Sequence, residues 1–481
     1  MAASPDTSPS IQTVARGAGI NMLGEIVGAV GAPLLYLVIS WVLGPKILGT
    51  YILVTYYIAL FLRLAVLGFE TGALRHIPIA RAAPQSQQAQ ASVLGTILRW
   101  TAVLSLVITA VVGLCPEFFL KVGGDDQALA VTWWMAVLVL ALPGQAVTKV
   151  ILYAIRGLSN MWAFVLVQNI IAPLTLMGLS LLPLLFGFDE RSLAIGFIGS
   201  AYLSLLAALI LLVRLFPDQD AGNVLRSKRD GALIAFSYPQ GLTEALNYLL
   251  GRIDVIMIGA FFPEKPEWVA FYGMAALIAG VVKKVRFSFD NSFSPVFADL
   301  VIRGDRQGMA EQYRTVGRWI FTLFLLFAGT LALSSKFILS IYGSDFTDYW
   351  LVVPILAFGR MFNAAGGPAQ ASLLMAGRSK LEFANNILIN IVNVLLNLIL
   401  IPRYHVFGAA IATTASLTVF NLVRLAEVAV LLKVWVNLGE TVRIILSGLV
   451  AGAPAVAVLL IYPPTPGTSL LAAVIYAVLY P

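Results

Sequence analysis

The sequence has few of the residues from which most enzyme and metal sites are built. Its 481 residues include one cysteine, Cys115, and two histidines, His76 and His405. One cysteine cannot form an internal disulfide, and three such ligands spread along the chain do not make a zinc site. Charged residues make up 11% of the chain, whereas a soluble domain has about 25%. We therefore expect no metal, no other cofactor and no ordinary soluble fold.

Hydrophobic residues make up 59% of the chain, against roughly 45–50% in soluble domains. Apolar runs long enough to cross about 30 Å of hydrocarbon recur from end to end. We predict an all-α polytopic membrane protein with about 14 transmembrane helices, at residues 19–43, 50–73, 97–115, 129–152, 161–186, 193–215, 235–262, 269–292, 317–335, 350–375, 383–401, 407–432, 443–462 and from 470 onward. The last run is too short to cross the bilayer, and we expect that the chain is truncated there.

The distribution of lysine and arginine predicts the orientation. Alternate connecting segments, beginning with the N-terminus, carry 17 of these residues, and the remaining connections carry 6. Cytoplasmic loops are richer in Lys and Arg, so we place the N-terminus in the cytoplasm and the protein in the cell inner membrane. Residues 1–18 have no basic run before an apolar core, and we interpret them as a disordered cytoplasmic lead rather than a cleaved signal.

Charged residues within the predicted spans indicate an internal repeat at an offset of about 220 residues. Glu25 aligns with Glu244, Arg63 with Lys283, and Glu70 with Asp290. Charges are costly in a bilayer, so three coincidences are unexpected by chance. We predict two six-helix repeats around a central cavity, at 19–215 and 235–432, joined by a cytoplasmic linker at 216–234. Residues 433–481 would form two additional helices.

Eight cationic side chains lie inside the predicted spans, at Arg63, Lys149, Arg252, Lys283, Lys284, Arg286, Arg360 and Arg424. Each needs a partner or a water-filled cavity. For Arg360, and for Arg424 with Glu427 three residues later on one helix face, an ion pair that fastens helices is an equal alternative. The cluster at Lys283, Lys284 and Arg286 charges at least two faces of one helix, which favours a water-filled cavity.

Spacing places these charges relative to one another. Arg63 and Glu70 are seven residues apart, as are Lys283 and Asp290, so each pair is predicted to share one helical face. With Glu25 and Glu244, this gives a cavity that is cationic at depth and acidic at its inner mouth. Arginine and lysine suit phosphate or diphosphate. The acids Glu25, Glu70, Glu244, Asp254 and Asp290 are candidates for proton or sodium coupling, or are counter-ions.

One predicted span carries a stripe of asparagines, at Asn386, Asn390, Asn393 and Asn397. The spacing puts the four amides on a single face of an apolar helix. Hydrogen bonding between helices is one interpretation. The alternative is a face that contacts sugar, for which Asn390 and Asn393 are the candidates.

Several ordered motifs resemble the multidrug/oligosaccharidyl-lipid/polysaccharide exporter superfamily, specifically its polysaccharide-transporter branch of repeat-unit flippases. They are Leu43-Gly-Pro-x-x-x-Gly-Thr-Tyr, Asp254-x-x-x-Ile-Gly, Ala270-Phe-Tyr-x-x-Ala, Asn393-Val-Leu-Leu-Asn-Leu-Ile-Leu-Ile-Pro-Arg-Tyr and Gly408-Ala-Ala-Ile-Ala-Thr-Thr. The chain departs from the pattern at His405, where the family usually has glycine. The resemblance implies flipping of undecaprenyl-diphosphate-linked oligosaccharide, with cationic cavity residues at the diphosphate.

Two other functions fit less well. An ion-coupled multidrug exporter of the same superfamily favours an acid-lined cavity, whereas bases outnumber acids in these spans. A membrane polymerase or ligase of the same sugar pathway needs a sizeable external loop for its catalytic groups, and the predicted external loops are short. We therefore expect no enzyme activity. The expected partners are the lipid-linked oligosaccharide diphosphate, a proton or sodium ion, membrane lipids and other polysaccharide-pathway proteins, with no nucleic acid.

Reporter fusions test the predicted topology. Alkaline phosphatase fused after Gly124 or Ser344 should be active, because these positions are predicted to be external. Fusions after Asp220 or Gly304 should be inactive, and green fluorescent protein should fluoresce there. A cytoplasmic signal at Ser344 would contradict the predicted order of spans.

Overall fold

The computed structural model describes residues 11–115, 125–158, 160–187, 189–435, 438–462 and 465–480. Within these ranges the secondary structure is helical and no strand occurs, which confirms the all-α prediction. Eight helices in the described part of the chain are long and apolar enough to cross a membrane, so the chain is a multi-pass membrane protein. Its contacts divide it into two compact units, unit 1 at 1–252 and unit 2 at 253–481.

Unit 1 is built from a succession of helices, some joined without a loop. Its α-helices are α1 (Ile11–Val66), α2 (Phe69–Ala82), α3 (Ser86–Leu114), α4 (Asp125–Leu138), α5 (Leu142–Gly157), α6 (Met161–Val165), α7 (Ala172–Leu185), α8 (Arg191–Leu215), α9 (Ala221–Arg226) and α10 (Gly231–Leu250). A 3₁₀ turn, Val139–Ala141, connects α4 to α5, and a π-helical turn, Leu166–Ile171, connects α6 to α7.

Unit 2 contains the remaining helices. They are α11 (Ile253–Phe261), α12 (Glu267–Gly280), α13 (Val282–Arg303), α14 (Arg306–Ser340), α15 (Val352–Ala365), α16 (Ala369–Met375), α17 (Ser379–Glu427), α18 (Leu438–Ile461) and α19 (Pro466–Leu479). A 3₁₀ segment, Ser344–Tyr349, precedes α15, and a π-helical turn, Val428–Leu432, follows α17.

Two of these helices contain a break at which a predicted loop lies. Gly44 interrupts α1 with φ 84° and ψ 169°, a conformation that glycine adopts without the penalty of a Cβ. His405 interrupts α17 with φ 54° and ψ −127°. The helical segments on either side of the break at His405 overlap the predicted spans 383–401 and 407–432. At the N-terminus, α1 already begins at Ile11, within the segment predicted to be a disordered lead, and residues 1–10 lie outside the described residues.

A third break corrects a prediction. Leu67 and Gly68 both have positive φ, at 45° and 76°, and they separate α1 from α2. The predicted span 50–73 is therefore two helices, and the prediction that Arg63 and Glu70 share one continuous helical face is wrong. Residues 283 and 290, by contrast, both lie in the uninterrupted helix α13.

The break after α1 packs against α10 through backbone. A Cβ added at Gly241 would collide with the carbonyl carbon of Leu67 and lie 2.5 Å from the nitrogen of Gly68. Gly72, one turn further along α2, faces the side chains of Ser237 and Leu233 on α10. Small residues allow this close approach, which is typical of helix packing in membranes.

The interior of unit 2 is aromatic and aliphatic. Phe293 and Phe297 of α13 stack with centroids 4.8 Å apart and belong to one buried cluster with Phe321 of α14. The Tyr313 hydroxyl donates a 2.6 Å hydrogen bond to the carbonyl of Gly366. The last helix, α19, packs on α14, where the Tyr476 hydroxyl donates to the carbonyl of Leu325 at 3.0 Å.

Replacing Gly241 with alanine tests the close contact with the break. The added Cβ should force α10 away from Leu67 and Gly68 and cost about 1–3 kcal/mol, as overpacking does. The measurement is the melting temperature of the purified protein in detergent. Gly178→Ala is the matched control, because nothing lies within 4 Å of a Cβ on this helical glycine and alanine favours a helix. Equal melting temperatures for the two variants would contradict the packing.

Candidate functional site

Unit 1 encloses a cavity of about 700 Å³ that brings four charged side chains together. Arg63 comes from α1, Glu70 from α2, Lys149 from α5 and Glu244 from α10. The volume lies within the range of about 300–1,000 Å³ that is usual for small-molecule sites. The structure thus places Arg63, Glu70 and Glu244, all predicted as site residues, at one cavity, with one cation that the prediction of site residues did not include.

That additional cation is Lys149, which pairs with Glu70. Lys149 Nζ donates to Glu70 Oε1 at 2.9 Å, and the side chains are 24% and 8% exposed. Glu70 stands in the first turn of α2, where the helix dipole favours a carboxylate. Its second oxygen, Oε2, is buried and accepts no hydrogen bond from the described residues. Sequence alone gave no signal for the pairing, since 79 residues separate the two.

Arg63 and Arg252 each lie on a tyrosine ring of the opposite helix. The Arg63 guanidinium carbon is 3.9 Å from the ring centroid of Tyr248, and that of Arg252 is 4.7 Å from the centroid of Tyr56. Arg63 Nη1 donates to the carbonyl of Ala59 at 2.9 Å, and Arg252 Nη1 donates to the Tyr56 hydroxyl at 3.1 Å. A guanidinium has five N–H donors, so both cations retain donors for an anion.

Uncharged polar groups complete the cavity. Gln145 and Gln168 line it, and Gln168 stands in the π-helical turn. Pro173 follows that turn in α7 and has no N–H to continue a regular α-helical hydrogen-bond ladder; π-helical turns occur frequently at functional sites. The hydroxyls of Thr148 and Ser204 also line the cavity and, within the described residues, have no hydrogen-bond partner. These groups could bind water or the hydroxyls of a sugar.

Unit 2 holds a separate cluster around Asp254. Its Oδ1 accepts a hydrogen bond from Asn397 Nδ2 at 2.7 Å, and its Oδ2 accepts from Thr413 Oγ1 at 2.7 Å and from the Tyr272 hydroxyl at 2.8 Å. Asn393 extends the network, since its Oδ1 accepts from Asn397 at 3.0 Å. Asp254, one of the five acids predicted for ion coupling, and Asn393, one of the two asparagines predicted for sugar binding, therefore lie in the same network.

Three buried side-chain atoms near this cluster lack hydrogen-bond partners among the described residues. Asn397 Oδ1 accepts no hydrogen bond, and Arg360 Nε and Nη1 donate none. The charge of Arg360 interacts electrostatically with Asp254 and Tyr272. A set of carboxylate, amide and hydroxyl oxygens is the chemistry that binds a hard cation.

A third polar network corrects the expected partner of Arg424. Its guanidinium binds the carboxylate of Glu382, with Nε to Oε2 at 3.1 Å and Nη2 to Oε1 at shorter range, and Nη2 also donates to Asn386 Oδ1 at 2.9 Å. Glu427, the partner considered from the i, i+3 spacing, accepts instead from Asn385 Nδ2 at 2.6 Å. Glu382 and Arg424 are only 2% and 5% exposed, so they form a dry structural pair.

The asparagine stripe is used mainly for hydrogen bonds within unit 2. Asn386 joins the Arg424 pair, and Asn393 and Asn397 join the Asp254 network. Asn390 Nδ2 donates to the backbone carbonyl of Asn386 at 2.6 Å.

Several predicted site residues cannot be placed in a site. The side chains of Glu25, Lys283, Lys284 and Arg286 lie outside the described residues, although α1 and α13 include their backbone. Asp290 is half-buried on α13. Their predicted roles stay predictions.

No family model and no curated protein matches the chain. Its fold is similar to that of the lipid II flippase MurJ in an inward closed conformation, with a TM-score of 0.71 over 96% of both chains at 13% identity. It is also similar to a multidrug resistance MATE family transporter of the MOP superfamily, with a TM-score of 0.67 in the inward-facing conformation over 84% of this chain and 94% of that chain. An outward-facing conformation gives 0.57, over 88% and 95%. Identities of 13–14% show the fold alone.

A double-mutant cycle tests the Glu382–Arg424 pair. Arg424→Met should leave a buried carboxylate unpaired and cost about 3–5 kcal/mol in unfolding free energy, whereas adding Glu382→Gln should recover most of that loss. The measurement is thermal or denaturant unfolding in detergent. Glu427→Gln is the comparison variant, with a small expected effect. If Glu427→Gln is as damaging as Arg424→Met, the pairing is wrong.

Proposed function

We propose that the protein is a flippase of the inner membrane that moves undecaprenyl-diphosphate-linked oligosaccharide repeat units by alternating access, for the synthesis of surface polysaccharide. The observation that carries the proposal is the cavity of unit 1, where Arg63 and Lys149 stand with amides and hydroxyls inside a bundle of apolar helices. A charge-bearing cavity is costly to maintain in a membrane. Its contents therefore point to a polar cargo that must cross the bilayer.

The diphosphate of such a substrate matches the cations. Arginine and lysine form charge-assisted hydrogen bonds with phosphate oxygens, and each is worth about 1.5–3 kcal/mol. In this proposal Arg63 contributes from the cavity and Arg252 from the same helix crossing, where tyrosine rings hold both guanidinium groups. Lys283, Lys284 and Arg286 remain candidates for binding the diphosphate, as predicted from the sequence.

The sugar part of the substrate would use the uncharged side of the cavity. Gln145 and Gln168 offer both donors and acceptors, and Tyr153 and Phe164 provide an aromatic wall, with ring centroids 5.6 Å apart. Sugars present hydroxyls at their edges and C–H groups on their faces, which suits such a lining. In unit 2, Asn390 and Asn393 remain candidates for contact with the sugar.

The neighbouring folds support transport without selecting the cargo. One neighbour is a lipid II flippase, whose cargo is lipid-linked, and this favours the proposal. Others are multidrug resistance transporters. The acids Glu70 and Glu244 in the cavity are the observation that favours a multidrug exporter as the second candidate, because a cationic drug would bind them. No neighbour reported above is an enzyme, in line with the expectation of no enzyme activity.

We place ion coupling at the Asp254 network of unit 2. Asp254 accepts three hydrogen bonds from the described residues, and a proton or sodium ion could replace some of these donors. Glu25, Glu244 and Asp290 remain further candidates for coupling. The N-terminus would lie in the cytoplasm, and the other polysaccharide-pathway proteins would supply and consume the lipid-linked substrate.

Charge-removing variants test the substrate site. Arg63→Ala, Arg252→Ala and Lys283→Ala should each lose most transport, because losing one charge-assisted hydrogen bond costs on the order of ten- to a hundredfold in affinity. The Lys283→Arg variant should retain part of the transport activity, because it keeps the charge. The measurement is translocation of lipid-linked oligosaccharide in proteoliposomes at matched protein amount.

Arg191→Ala is the matched control for loss of a cation, because this side chain is 75% exposed beside Asp189 at the start of α8. It should transport normally. Normal transport by all three alanine variants would contradict the assignment. Export of a cationic dye, with no movement of lipid-linked sugar, would favour the second candidate.

A further inference from the structure

The Glu70–Lys149 pair differs from a structural ion pair in two respects. Lys149 lines the cavity and is 24% exposed, so an incoming ligand can reach it. Glu70 is nearly buried, yet only one of its oxygens accepts a hydrogen bond from the described residues. In the Glu382–Arg424 pair, by comparison, both carboxylate oxygens are bonded and both side chains are buried. A buried pair with incomplete hydrogen bonding compensates its desolvation poorly.

The cavity that Lys149 lines also holds a cation with unused hydrogen-bond donors. Arg63 gives one hydrogen bond to Ala59 and rests on the ring of Tyr248. It lines the same cavity as Lys149. An anion that binds Arg63 therefore enters a cavity that Lys149 also lines, and Lys149 is paired there with one carboxylate oxygen, Glu70 Oε1.

We propose that Lys149 binds a phosphate of the substrate, and that Glu70 pairs with Lys149 when the cavity is empty. The incoming phosphate displaces Glu70, and Glu70 then takes up a proton. This inference rests on the proposed function. In the exchange, the hydrogen bond from Lys149 Nζ to Glu70 Oε1 breaks and one from Nζ to a phosphate oxygen forms. A proton from water then forms an O–H bond on the Glu70 carboxyl, because a buried carboxylate without a cation neutralises.

The groups around Glu70 leave Lys149 as its ion-pairing partner among the described residues. The other charged or titratable groups on α2 and on the helices packed against it have these positions. Arg75 lies on the ring of Phe236, Arg81 is exposed, His76 Nδ1 is 3.0 Å from the carbonyl of Gly72, and Arg99 donates to the carbonyl of Ser227. Arg156 lies near the rings of Tyr153 and Phe164, Tyr238 is exposed, Tyr248 lies under Arg63, and Arg63, Tyr153 and Glu244 line the cavity.

The sign of the linkage follows from the exchange. Substrate and proton bind together at this site, and by reciprocity a proton on Glu70 strengthens binding of the anion. An antiporter's coupling acid behaves in the opposite way, because its proton and its substrate exclude each other. Glu70 therefore competes with the substrate for Lys149 and is not the acid that couples antiport to an ion. The coupling acid is then another residue, such as Asp254.

Calorimetry of the wild-type full-length protein in detergent tests the proton directly. The probe is farnesyl-diphosphate-linked N-acetylglucosamine, whose disubstituted diphosphate has no titratable group near neutral pH. Binding is measured at pH 7 in buffers of different ionisation enthalpy, and the dependence of the heat on the buffer gives the number of protons taken up. We expect uptake approaching about one proton. Binding without uptake would overturn this inference alone, and absence of binding would overturn the proposed function.

Two variants separate a displaced partner from a structural one. Glu70→Gln should bind the probe about five- to a hundredfold more tightly, the usual range of coupling between two sites, and should take up no proton. Lys149→Gln should bind it more weakly and also take up none. Glu311→Gln, which changes an exposed acid on α14, should match the wild type in both respects. If Glu70→Gln weakens binding as Lys149→Gln does, the pair is structural.

Discussion

The cost of charge in hydrocarbon governs the polar architecture of this protein. Moving a carboxylate or ammonium into the bilayer costs at least about 2.5–3.5 kcal/mol on insertion scales, so each such group must be paired or hydrated. Unit 2 meets this requirement with dry networks, in which Glu382 and Arg424 are almost fully buried. Unit 1 meets it with a cavity, where Arg63, Lys149 and Glu244 keep contact with open space. The same constraint thus produces a buried ion pair in one unit and a charged cavity in the other.

Breaks in the helices position the polar groups. Positive φ at Leu67 and Gly68 ends α1 and starts α2, which puts Glu70 in the first turn of a new helix. The contact with Gly241 fixes that break through backbone. In unit 2, His405 adopts φ 54° where the resembled family has glycine, and its ring lies 4.5 Å from Trp268 and 4.9 Å from Phe262. A positive φ at a residue other than glycine costs on the order of 1–3 kcal/mol. The aromatic contacts of the His405 ring offset this cost.

Hydrophobic runs were enough to predict an all-α membrane protein, because apolar length is what a bilayer requires of a span. They did not predict the break at Leu67, since leucine rarely has positive φ and gives no warning of one. Local spacing was likewise a poor guide to pairing. It suggested Glu427 for Arg424, whereas the actual partner, Glu382, is 42 residues away and meets it through tertiary packing. Glu70 and Lys149 were both visible as intramembrane charges, but nothing in the sequence joined them.

The repeat suggested by the sequence gives this asymmetry a physical meaning. If the two halves descend from one ancestor, Arg63 and Glu70 correspond to Lys283 and Asp290. In unit 1 a break separates the two positions, and in unit 2 one helix carries both. In unit 1 Glu70 pairs with Lys149, while in unit 2 hydroxyls and an amide donate to Asp254. In the flippase that we propose, one site would release the cargo and another would respond to an ion, and divergence of two duplicated halves would be a direct way to obtain both.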